Sequence, residues 1–99
     1  MKKIIKRKIK NKIKIKYIKI YNISNRHKKF NKKNSHYKII IVSNNFYKIN
    51  ILRRHQIIYN ILSNEININI YGIEIFTYTK KEWDIEINKK FSSTKCINQ

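Results

Sequence analysis

The run HYKIIIVS, from His36 to Ser43, restricts the fold more than any other stretch of the chain. From Ile39 to Val42 every residue is β-branched, and both parities are apolar. Successive strand side chains point to opposite faces, so such a strand has no polar face to give to water. It belongs at the centre of a sheet, with a strand on either side and cover over both faces. The remaining residues have to supply those neighbours and that cover.

Ahead of this run, Ile5, Ile9 and Ile13 recur at four-residue spacing, which places them on one face of a short helix over Lys2 to Asn11, with lysine around the rest. From Ile13 the period shortens to alternation, predicting a strand from Lys16 to Ile23. The polar stretch SNRHKKFNKKNS, Ser24 to Ser35, reads as an exposed loop. Beyond the central run, Asn44 and Asn45 break the strand. Helical spacing returns from Ile51 to Glu65, with Ile51, His55, Ile58, Ile61, Leu62 and Ile66 on one face and Arg53, Arg54, Gln56 and Asn60 on the other. INIYGIEIFTYT, Ile68 to Thr79, alternates again, but parity slips at Ile70 and Tyr71 beside Gly72, which predicts a bulge or a close backbone approach.

Strand, helix, strand in that order implies a right-handed crossover with parallel pairing. Thr79 and Glu82 then form T-x-x-E before Trp83, a capping box that opens a final helix with the stripe Trp83, Ile87, Phe91. The expected order is α-β-β-α-β-α, an α/β fold of the α+β kind with a three-stranded mixed sheet. One domain spans 1–91, and 92–99, lacking periodicity, is expected to be a disordered tail. A chain of 99 residues has no room for a second core.

The formal net charge of +19 ordinarily points to nucleic acid or an anionic membrane surface. Here Lys, Ile, Asn, Tyr and Phe are in excess, Gly is nearly absent, and Ala and Pro do not occur. Codons rich in A and T produce that pattern unaided, so codon bias explains the lysines as well as selection for phosphate does. The acidic residues Glu65, Glu74, Glu82, Asp84 and Glu86 all lie in the second half, leaving the first third the basic end. A lone Cys96 excludes an intramolecular disulfide and fits a reducing compartment. Lysines interrupt every apolar run at the N-terminus, so neither a signal peptide nor a membrane span is expected, and the protein reads as cytoplasmic. Neither a Ser, His and Asp set nor a phosphate-cradling loop is present, so no enzyme and no small-molecule substrate are expected.

Three of these segments, SHYKIIIVS, RRHQIIYNIL and FTYTKKEW, resemble the BolA family, and the likeness runs from Ile20 to Phe91. The resemblance implies a fold similar to the class II KH arrangement. It implies a DNA-binding transcriptional regulator of stress response and cell shape that also partners a monothiol glutaredoxin. The alternative it implies is a glutaredoxin-binding adaptor in iron–sulfur trafficking or iron sensing, sometimes sharing a two-iron two-sulfur cluster. Transferred by residue, His27 matches the family's cluster ligand in the loop between the first two strands, and imidazole is a suitable iron ligand there. The family's second ligand, a histidine early in the third strand, is replaced by Tyr71. A phenol of pKa about 10 must lose a proton that imidazole need not, so loss of cluster ligation is expected unless Tyr71 ligates as phenolate or His27 acts with a substitute such as His36 or Cys96.

Arg26, Lys28, Lys29, Lys32 and Lys33 of the loop, with Arg53 and Arg54, make a candidate phosphate-contacting surface. Gly72 is the only glycine, so the G-x-x-G clamp of KH domains is absent. His55 reads as a packed helix residue, His36 as sheet packing and Trp83 as a core anchor.

Overall fold

The computed structural model describes residues 2–23, 35–68 and 70–97, without the side chains of 35, 67–68, 70–71 and 90–97. Its elements run α1 (Lys2–Lys12), β1 (Tyr17–Asn22), β2 (Ser35–Val42), a 3-10 turn (Asn44–Phe46), α2 (Ile51–Ile61), α3 (Ser63–Ile68), β3 (Ile70–Tyr78) and α4 (Lys80–Ile97). The sheet order is β1-β2-β3, so the β-branched run is the central strand. It pairs antiparallel with β1 and parallel with β3, as the crossover requires.

Residues on one rung of a sheet point the same way. Ile18, Ile41 and Thr77 share a rung, as do Ile20, Ile39 and Ile75. These rungs pack against Ile5, Ile9 and Ile13 of α1 and against Phe46, Ile58 and Leu62, forming the core. The opposite face carries Tyr17, Val42 and Tyr78, then Lys19, Ile40 and Phe76, then Tyr21, Lys38 and Glu74. There Val42 is buried while Lys38 and Ile40 are only half-buried. The central strand is thus fully covered on one face and partly on the other, where burial of both faces, or nearly so, was expected.

Three boundaries differ from the sequence reading. The expected single helix to Glu65 breaks at Leu62, and α3 carries the chain to Ile68, which had been placed in the strand. Ser63 and Asn64 favour a fresh start over helix interior, and Glu65 is held by Lys8 of α1 through a 2.6 Å ion pair. At the other end α4 passes Phe91 and runs to Ile97, through residues expected to be a tail. Ser, Thr, Lys and Cys each cost a helix only about half a kcal/mol relative to Ala, and no Gly or Pro stops it.

Trp83 is half-buried and lies outside the core cluster. Its ring stacks on Tyr17, with centroids 5.6 Å apart, and meets Tyr78 at 5.1 Å. It therefore anchors α4 to the sheet face opposite the core. The capping box forms as the sequence requires: the Thr79 amide donates to Glu82 Oε1 at 2.8 Å and the Glu82 amide donates to Thr79 Oγ1 at 3.2 Å.

Candidate functional site

Two places bring together residues singled out in the sequence. The first is the end of the sheet where β2 and β3 begin. Ser35 pairs with Ile70 and His36 with Gly72, so Tyr71 is an extra residue, a bulge where the parity slip predicted one. A methyl group added at Gly72 would lie 3.0 Å from His36 Cε1 and Nδ1, which is why the only glycine sits here: the imidazole rests against bare backbone. His36 Nε2 lies 3.6 Å from Glu74 Oε2, in keeping with the packing role expected of it. The Ile23 amide donates to the His36 carbonyl at 2.8 Å, so the 24–34 segment joins the sheet at this end.

His27, Arg26, Lys28, Lys29, Lys32 and Lys33 lie outside the described residues, as do the side chains of Tyr71 and Cys96. Among the described residues no three His, Cys, Asp or Glu converge to hold a metal. Among the described residues the one side-chain donor group at this end is the half-buried His36 imidazole facing the Glu74 carboxylate.

The second place is a cleft of about 940 Å3 between the first turns of α2 and α4, with Tyr47, Lys48, Lys81 and Ile85 among its lining. Arg54 forms part of its wall, and here the sequence reading is corrected. Arg54 is 4% exposed, not on the polar face. Its guanidinium donates to Glu82 Oε1 at 2.6 Å and Oε2 at 3.0 Å, while Nε donates to the Ile49 carbonyl at 2.7 Å. A longer bond reaches the Thr77 carbonyl at 3.4 Å, and Phe46 lies under the guanidinium at 5.5 Å. With its donors directed inward, Arg54 is a structural tie between α2, β3 and α4 and leaves the candidate phosphate surface.

The signal for this was in the sequence. A capping-box glutamate has a second oxygen to offer, and Arg54 was within reach of it once α2 and α4 were neighbours. Arg54 thus takes the inward helix position next to Ile58, while Ile51, expected on the apolar face, stays 54% exposed. His55 is half-buried on α2, and Arg53 is exposed with a 3.5 Å contact to Gln56.

A three-stranded mixed sheet with α1 and α2 packed on one face and α4 anchored to the other through Trp83, in the basic order α-β-β-α-β-α with α3 as a short addition after α2, defines the KH-like class of α+β folds. The sequence profile of the BolA-like protein family matches residues 9–82, and this chain belongs to that family. Solved structures agree. BolA1 from Arabidopsis thaliana superimposes with a TM-score of 0.74 at 22% identity, covering 81% of this chain and 92% of its own. The BolA domain of SufE1 from the same plant gives the same values. BolA1 from Mus musculus gives 0.72 at 22% identity, over 83% of this chain and 67% of its own. No curated protein sequence matches significantly. No helix among the described residues is long and apolar enough to cross a membrane.

Proposed function

We propose that this protein is a non-catalytic adaptor that docks on a monothiol glutaredoxin without ligating an iron–sulfur cluster. One observation carries the reading: the Tyr71 bulge, His36 and both stems of the 24–34 segment, which contains His27, meet at one end of the sheet. The segment that carries His27 thus leaves and rejoins the sheet at the end where the backbone of Tyr71 bulges, and the resemblance assigns altered ligand chemistry to Tyr71. Docking needs only shape and side-chain contacts, which survive a His to Tyr change better than metal ligation does.

Mixing the purified chain with a monothiol glutaredoxin under anaerobic cluster reconstitution tests both halves. A complex by gel filtration, with the visible spectrum of the glutaredoxin alone, is the expected result. Tyr71→His restores an imidazole and is expected to add the absorption of a mixed cluster. Absence of a complex for both proteins sinks the adaptor reading, and a mixed-cluster spectrum with the unaltered chain sinks the loss of ligation.

A DNA-binding regulator is the second reading, favoured by the outward face of α1, where Lys2, Lys3, Lys6, Arg7 and Lys10 are exposed, and by exposed Arg53. With Arg54 withdrawn, duplex affinity is expected to fall alike for all sequences as salt rises toward about 200 mM, the mark of phosphate attraction alone. A duplex whose binding outlasts the others in that titration would establish sequence-selective regulation.

A further inference from the structure

The sheet face opposite the core is dressed as a binding surface. Tyr17, Tyr21 and Phe76 are 42%, 41% and 37% exposed there, although all three belong to regular strands. Trp83 stacks over the Tyr17 and Tyr78 end and leaves the next two rungs open among the described residues. Lys38 stands between the two remaining rings, its ammonium 6.0 Å from Tyr21 and 5.1 Å from Phe76, and Lys19 lies 5.7 Å from Tyr21. Glu74 is the only carboxylate on these strands, and it sits at the edge of the patch facing His36.

A second feature adjoins the first. A shallow groove of about 370 Å3 lies between α1 and β1, an edge strand, lined by Lys2, Lys3 and Lys6 of α1 and by Ile18, Lys19 and Ile20. Lys19 belongs both to this groove and to the Tyr21 patch, and no acidic residue lines the groove.

We propose that this face binds a single-stranded polynucleotide, with bases stacked on Tyr21 and Phe76 and the backbone following the lysine groove. Every base has a π-face that stacks on an aromatic ring, and strand-mounted aromatics on an open sheet hold two or three bases in this way. Unpaired bases are required, because a duplex keeps its π-faces inside the stack. Lys19 and Lys38 direct the choice toward a polyanion and against a second copy of this chain, since a symmetric pairing would press these lysines together on chains of net charge +19. The proposal is independent of glutaredoxin docking and uses none of the residues assigned to it.

The test is fluorescence anisotropy with a labelled oligouridylate of about ten nucleotides, within the footprint of such platforms. A duplex of equal length and inorganic polyphosphate are the comparisons. Tyr21→Ala and Phe76→Ala are each expected to weaken the oligouridylate about tenfold and to leave polyphosphate binding unchanged. Lys19→Gln with Lys38→Gln is expected to weaken both and to lower the salt slope. Equal losses for oligouridylate and polyphosphate, no loss from either aromatic variant, or a duplex bound as tightly as the single strand would each overturn the proposal. A readout on the unaltered chain guards against a variant that fails to fold. Photo-crosslinking to a thiouridine-substituted strand is expected to mark Tyr21 or Phe76, and adducts confined to α1 would overturn it.

Discussion

Arg54→Ala is expected to destabilise the protein by about 3 kcal/mol, within the range for breaking a buried ion pair from one side. For a chain of this length each kcal/mol moves Tm by roughly 4–8 °C, so thermal unfolding monitored by circular dichroism resolves the change. The loss has several sources. The guanidinium satisfies the carbonyls of Ile49 and Thr77, lies over Phe46, and makes a two-pronged pair with Glu82. Deleting it leaves buried acceptors without donors and a space the length of an arginine between α2, β3 and α4.

Glu82→Gln separates the charge from the cap. Glutamine still accepts from the Thr79 amide, as a capping box allows, but the buried guanidinium loses its counter-charge. Water reaches Glu82, whose side chain is 45% exposed, so this variant is expected to lose less than Arg54→Ala, on the order of 1–2 kcal/mol. Acid follows the same pair. Hydrogen bonds from Arg54, opposed by desolvation, hold the Glu82 carboxyl below its ordinary 4.5. Its contribution is therefore complete above that pH and is lost as acid protonates the folded carboxylate. Glu65, lowered chiefly by its hydrogen bond from Lys8, adds to the same acid limb. A stability profile for Arg54→Ala that falls below pH 5 as steeply as that of the parent chain would refute the role given to the pair.

The fold was legible where a periodicity had only one physical outlet. The β-branched run had to be central, the three isoleucines of α1 had to share a face, and the slip beside Gly72 had to mark a bulge or a close backbone approach, both of which occur there. T-x-x-E had to open a helix, and the two hydrogen bonds it predicts are present. The candidate site was less legible because its residues depend on partners distant in sequence. Arg54 reads as an outward charge until Glu82, 28 residues on, is known to lie against it. The open sheet face was not seen at all. Tyr17, Lys19, Tyr21, Lys38 and Phe76 sit on three different strands, and only the register puts them on neighbouring rungs. Alternation showed that each strand had two faces but did not show which would lack cover.

Ile9→Ala is expected to cost about 3 kcal/mol, in the range for truncating a fully buried isoleucine, and to release α1 before the rest of the domain. An isolated helix of 11 residues is marginal in water even with favourable composition. This one carries Lys2, Lys3, Lys6, Arg7, Lys8, Lys10 and Lys12, whose repulsion at spacings of three and four opposes it further. What holds it is burial: Ile5 and Ile9 are 0% exposed and Ile13 is 6% exposed. Lys8 adds the ion pair with Glu65, the one lysine of α1 with an acidic partner among the described residues. Removing the middle isoleucine therefore leaves a helix whose remaining interactions are mostly repulsive. Hydrogen exchange of the α1 amides is expected to speed up more than exchange of the β2 amides. Raising salt to about 0.5 M is expected to slow α1 exchange in parent and variant alike, because screening weakens the lysine repulsion common to both while leaving the cavity untouched. No response to salt in either chain would show that the repulsion is negligible, and equal acceleration across α1 and β2 would show that the helix and sheet unfold as one unit.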